Sequence, residues 1–177
     1  MAGAPPADLK HDPIVLGIDP ALRVCGWGVV RGGSKPAYIA SGAIRPKTSD
    51  SIERRLLALN LAISNLLGTY QVDEMAIEDP FVGALAPASA LAIGQARAAA
   101  LLAAATHRIE AELYAPAAVK AAVSGYGGGD KEQVRTMVKL LLAMDVVPEP
   151  LDASDALAVA ICHLSQRKAR ALEKATR

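Results

Sequence analysis

The sequence predicts an α/β domain built on one mixed five-stranded sheet with helices on both faces. Three observations predict it. Three strand-like segments follow one another near the start, joined by short turns. Strand and helix patterns then alternate to the end of the chain. Hydrophobic residues make up 52% of the 177 residues, enough to fill a core on each side of a sheet.

Residues 1–12, with two prolines and mixed charge, read as a disordered leader. The β-branched run at 14–19 is a buried strand. Residues 26–31 and 37–44 are two more, and the Gly32-Gly33-Ser34 turn between them predicts an antiparallel meander. Ser51 is placed to cap a helix over 52–67, with Ile52, Leu56, Leu59 and Ile63 on one face and Gly68 ending it. A strand at 73–78 follows. Pro80 and Pro87 frame a loop before a long Ala/Leu-rich helix at 88–108, which reads as buried. A short strand at 111–114 leads to Pro116, suited to open a helix over 116–123. The glycine-rich stretch 124–129 is a loop, Asp130 caps a helix over 131–143, and Pro148 and Pro150 precede a last helix at 152–168. The folded domain is expected over 13–168, with 169–177 a basic, flexible tail. No internal repeat is visible.

The net charge of +1 does not announce a nucleic-acid binder, but a local basic surface suffices for phosphate contact. Cys25 and Cys162 fit no zinc spacing and read as small core residues of a reducing cytoplasm. No segment has the pattern of a secretion signal, and the polar residues Ser89, Gln95 and Arg97 interrupt the longest apolar stretch. The expected location is cytoplasmic. With aromatics at 3% and a single Phe, any aromatic in a loop stands out.

Four carboxylates carry the chemistry. Asp19 and Glu78 each end an apolar strand, where a charge is costly unless it is compensated. Asp152 and Asp155 lie three apart at the start of the last helix and so share a face. Asp152 alone reads as a cap and Asp19 alone as a turn residue in Asp-Pro. Asp155 precedes a run, Ala156 to Ile161, that is apolar nearly all round, so it must face protein. Together the four make a set of hard oxygen ligands of the kind a divalent ion needs.

The motifs around these acids resemble those of the RuvC family of Holliday-junction resolvases. They are Leu-Gly-Ile-Asp-Pro at 16–20, Ala-Ile-Glu at 76–78 followed by Phe81, and Leu-x-x-Gly-Gln-Ala-Arg at 91–97. Asp-Lys-x-Gln-Val at 130–134 and Asp-Ala-x-Asp-Ala-Leu-Ala-x-Ala at 152–160 complete the set. The resemblance spans about residues 14 to 165, in order. It departs at Ala21, where glycine is frequent in the family, and at Asp79, a fifth nearby acid.

The resemblance implies a ribonuclease-H-like fold and a homodimer that cuts four-way junction DNA in recombination and repair by paired hydrolytic nicks. The ends left would be 5′-phosphate and 3′-hydroxyl. It implies that Asp19, Glu78, Asp152 and Asp155 hold two Mg²⁺ ions per site, with Mn²⁺ a possible substitute. It also implies that Phe81 stacks on an unpaired base, and that Arg97, Lys120 and Lys131 contact DNA. A branch-migration complex of the RuvA and RuvB type is the implied protein partner. From residues alone, Phe81 reads rather as a core anchor for its loop and the two lysines as solvated helix residues. Arg97 is either a phosphate contact or a support for the site, and Arg23 is a further phosphate candidate. His107 and His163 read as structural or exposed, and Trp27 as sheet packing. The Ala-rich helix offers a dimer surface or simple packing.

Two rival readings share single motifs. A nuclease of the same fold acting on RNA lacks a reason for the Asp152/Asp155 pair and the Phe81 loop. An actin-like ATPase, suggested by Gly-Ile-Asp at 17–19, needs a second phosphate loop and a second domain of similar fold. A junction-binding module without catalysis would gain nothing from carboxylates beside phosphate.

Overall fold

The computed structural model describes residues 12–80, 86–125 and 130–175. Five strands and five helices follow in the order β1 (Ile14–Asp19), β2 (Cys25–Arg31), β3 (Ala37–Ile44), α1 (Ile52–Thr69), β4 (Glu74–Glu78), α2 (Pro87–Thr106), β5 (Glu110–Tyr114), α3 (Pro116–Ser124), α4 (Lys131–Leu141) and α5 (Leu151–Ala175). The sheet order is β3-β2-β1-β4-β5. The first three strands are the expected antiparallel meander, and β4 and β5 run parallel to β1.

Alternation along the strands sorts the core into two layers. Leu16, Ile18, Val29, Met75 and Ile77 pack with α1 and α2. Val15, Val30, Ala76 and Tyr114 face α3, α4 and α5 on the other side. Asp19 and Glu78 belong by alternation to this second face, at the same end of neighbouring parallel strands. Helix α5 then brings Asp152 and Asp155 to that end.

The seat of α5 is made by glycine. Gly17 and Gly28 are paired across β1 and β2, as are Asp19 and Gly26. A Cβ at Gly17 would overlap the Ala156 carbonyl, one at Gly26 would overlap the Asp152 carbonyl, and one at Gly28 would lie 2.7 Å from the Leu157 side chain. Ala153, Ala156 and Ala160 are fully buried in α5, so helix and sheet meet nearly backbone to backbone.

Some expectations about element ends are corrected. Ser51 precedes α1 but makes no side-chain cap bond; its hydroxyl donates to Glu53 instead. Gly68 does not end α1, which closes at Tyr70 with the left-handed turn taken by Gln71. Helix α5 continues to Ala175, beyond the expected end at 168. Helix α2 is buried on one side only. Its alanines 96, 99, 100, 103 and 104 are in the core, whereas Leu91 and Leu102 are exposed. It is long and apolar enough by composition to cross a membrane, but those alanines are engaged in the core. The cap at Asp130 is as expected: its carboxylate accepts from the Gln133 amide at 2.8 Å, and the Gln133 side chain accepts from the Asp130 amide at 3.3 Å.

Midway along α5, His163 is buried and both its ring nitrogens are engaged. Its Nδ1 is 2.9 Å from the Tyr114 hydroxyl and its Nε2 2.6 Å from Glu74, which also accepts from Arg167 at 2.9 Å. The His163 hydrogen bond, ahead of the Arg167 charge, holds the Glu74 carboxyl below its ordinary range.

Adding one methyl to the α5 seat overpacks backbone against backbone. Gly17→Ala is expected to cost at least about 1–3 kcal/mol, read as a lower urea midpoint with an unchanged denaturant slope.

Candidate active site

A cleft of about 330 Å³ opens between the sheet and helices α3, α4 and α5. Asp19, Glu78, Asp155, Lys120 and Lys131 line it, on walls of Pro116, Val119, Val134 and Ala158. Five of the residues singled out in the sequence therefore meet in one place. Asp152 stands half-buried in the first turn of α5, above Gly26, and its charge acts on both Asp19 and Asp155.

The carboxylates burden one another. Burial, then the charges of Glu78, Asp155 and Asp152, push Asp19 from 3.8 up to about 7, against a smaller opposing pull from Lys131. Glu78 is raised by burial and by Asp155, while a hydrogen bond with Asp19 works the other way. Asp155 is raised by burial and Asp152, and held down by Lys131, Arg135 and Lys120. Lys131 Nζ lies 3.9 Å from Asp155, yet the lysine side chain is 72% exposed. Such a contact is screened by water and leaves the ammonium available to a phosphate.

Helices α3 and α4 present the basic groups. Lys131 is the first residue of the capped helix α4 and Lys120 stands within α3. Arg135, one turn after Lys131, was not singled out in the sequence. Its guanidinium donates to Glu132 at 3.2 Å and reaches the Pro148 carbonyl at 3.5 Å, tying α4 to the segment before α5. An i, i+4 pair of basic residues on the helix after Asp130 is the pattern that could have found it.

Arg97 is not among the residues lining the cleft. It forms an ion pair with Asp79, whose amide donates to the Tyr114 carbonyl at 2.8 Å. The fifth acid is thus engaged at the base of the loop that follows Glu78. Phe81 lies outside the described residues. Trp27 is part of the sheet, half-buried against Tyr70. Cys25 and Cys162 are buried and unpaired, and burial pushes their thiols up to about 12 and about 11.

Among the described residues no three of these acids already meet at liganding distance of one point. The fit to a divalent ion rests on donor chemistry. Hard carboxylate oxygens from two strand ends and one helix face crowd negative charge into one cleft, and a cation there would relieve the burial and repulsion that raise Asp19.

Comparison with known proteins follows the same residues. The family model "Crossover junction endodeoxyribonuclease RuvC" matches residues 15–163. A crossover junction endodeoxyribonuclease RuvC of Dehalococcoides mccartyi is 45% identical over 154 residues, covering 86% of this chain and 93% of the relative. That of Chromohalobacter salexigens is 45% identical over 160 residues, 90% of this chain and 84% of the relative. Among solved structures, Thermus thermophilus RuvC in complex with a Holliday junction substrate superimposes with a TM-score of 0.83 at 27% identity, covering 90% of this chain and 97% of that one. The yeast mitochondrial Holliday junction resolvase Ydc2, at 14% identity and a TM-score of 0.68, shares the fold.

A raised carboxyl gives a signed pH dependence. Between about pH 4 and 7 the folded chain keeps a proton on Asp19 that the unfolded chain releases, so this group makes stability fall as pH rises. In EDTA, Asp19→Asn is expected to raise the urea midpoint at pH 8 and to change it little at pH 4. A variant no more stable than the parent at pH 8 would contradict the crowding described above.

Proposed function

Because the chain belongs to the RuvC family of crossover junction endodeoxyribonucleases, we propose that Asp19, Glu78, Asp152 and Asp155 are the carboxylates with which it cuts four-way junction DNA. The enzyme is a divalent-metal-dependent endonuclease that resolves Holliday junctions, on a ribonuclease-H-like fold. One observation supports the residue assignment above others: Asp19, Glu78 and Asp155 converge with Lys120 and Lys131 in one cleft, while Asp152 shares the helical turn of Asp155.

The four acids would hold two Mg²⁺ ions, with Mn²⁺ able to replace them. When bound, the ions supply the Lewis acidity that activates water and stabilises the departing oxygen. The chain's own part is positional. Asp19 and Glu78 are fixed by neighbouring strands, and Asp152 and Asp155 by a helix that cannot lift from its glycine seat. Lys120 and Lys131 hold the scissile phosphate against these acids, neutralising charge that would otherwise repel the DNA. Water attacks phosphorus and the 3′-oxygen leaves, giving 5′-phosphate and 3′-hydroxyl ends. Phe81, two residues after the Asp79 that Arg97 holds, would stack on an unpaired base. Arg97 supports the site through Asp79.

Two symmetric nicks need two sites. A homodimer through the outer faces of α1 and α2 supplies them, supported by the exposed Leu57, Leu61, Leu91 and Leu102. The chain would work in the cytoplasm, where its two unpaired cysteines suit a reducing medium, with a branch-migration complex of the RuvA and RuvB type.

Asp155→Asn is expected to abolish cleavage of an immobile four-way junction in Mg²⁺ while leaving junction binding within about threefold. Retained turnover would sink the assignment. Leu91→Arg with Leu102→Arg is expected to turn a dimer into a monomer in sedimentation, with paired nicks giving way to single ones.

A further inference from the structure

The acid-bearing end of the sheet carries a second set of basic residues, on the side away from Lys120 and Lys131. Arg23 lies in the turn after Asp19, Arg45 and Lys47 follow β3, and Arg54 stands in the first turn of α1; all four are exposed. Far apart in sequence, they are brought together by the fold. Cys25 pairs with Ile44, which places the start of β2 beside the end of β3. Arg55 donates to the Leu22 carbonyl at 2.7 Å, tying the first turn of α1 to the turn that holds Arg23.

Arg45 has a defined direction. Ile44 packs into the core shared with α1 and α2. The next residue of an extended chain points to the opposite face, and Pro46 holds Arg45 extended. Arg45 therefore falls on the face of the sheet that bears α5 and the carboxylates. Neighbouring strands lie about 4.8 Å apart, so the end of β3 is roughly 10 Å across the sheet from Asp19. A DNA strand crossing the cleft would come within reach of this edge.

Among the described residues, none of the four enters an ion pair. Two acids share the region, Asp50 and Glu53, and Glu53 is turned back onto the Ser51 hydroxyl. Four unpaired cations bordering a phosphodiester-cutting cleft have one complementary occupant in this enzyme, a polyanionic backbone.

We propose that Arg23, Arg45, Lys47 and Arg54 form a phosphate-binding ridge that carries the junction arm leaving the cleft on the β2–β3 side, opposite the lysines of α3 and α4. The inference rests on the junction-cutting function above and adds a path for the DNA. Because the ridge touches no reacting atom, its contribution is to affinity and to the placement of the arm.

The test uses the full-length protein and an immobile four-way junction, with binding measured in EDTA from 50 to 300 mM salt. Arg45→Gln, Lys47→Gln and Arg54→Gln are made singly and together; all three positions are exposed, and melting temperatures verify that the fold is kept. Each lost phosphate contact should flatten the plot of log affinity against log salt by about 0.9, so the triple variant should lose about 2.7 per bound subunit. In Mg²⁺ the loss should appear in KM rather than in kcat. An unchanged salt slope in a triple variant, beside a parent protein that binds and cleaves, would overturn the ridge alone. A parent protein that neither binds nor cleaves the junction would overturn the function and the ridge together.

Discussion

The close approach of α5 to the sheet is the constraint on which the site depends. Gly17 and Gly28 oppose each other across β1 and β2, and Gly26 opposes Asp19, so a patch of bare backbone receives the helix. With alanines 153, 156 and 160 turned inward, the helix axis lies nearer the strands than larger side chains would permit. This proximity lets two short aspartates at the start of α5 share space with two acids at strand ends. A larger residue at any of these glycines would move the helix that carries Asp152 and Asp155 as a body.

Proximity has an electrostatic cost, and the molecule meets it only in part. Burial and mutual repulsion raise Asp19, Glu78 and Asp155 together. Lys120, Lys131 and Arg135 relieve Asp155 from the side of α3 and α4, and the one direct contact among them, Lys131, is long and wet. A site left this negative favours divalent cations and resists bare phosphate. The basic groups around its rim answer the second problem without cancelling the first.

Much of this was legible in the sequence, because the elements advertise themselves. The apolar run before Asp19, Pro116 opening α3 and Asp130 three residues before Gln133 are local signals with local causes, and the elements lie where those signals put them. Four acids could be read because charge at the end of a buried run is conspicuous. What could not be read depends on partners far away in the chain. Gly26 and Gly28 read as members of a strand, but that they form the seat of α5 depends on a helix more than a hundred residues away. Asp79 read only as a fifth nearby acid, because its partner Arg97 lies on the helix beyond the next loop. Ser51 had the right type for a cap and bonded Glu53 instead, since side chains of that length have several partners within reach. The resemblance to known resolvases supplied the roles that spacing alone left open.

The buried histidine at the middle of α5 divides the helix into two stretches of opposite character. From His163 onward, Glu74, His163, Tyr114 and Arg167 are linked by hydrogen bonds that extend to Glu112. Upstream, the aspartates stand among groups that repel them. The helix is pinned twice, by the glycine seat beneath its first turns and by the His163 set at mid-length. With both anchors in place, the backbone beneath Asp152 and Asp155 is set before any cation arrives, and accommodation of an ion is left to the side chains.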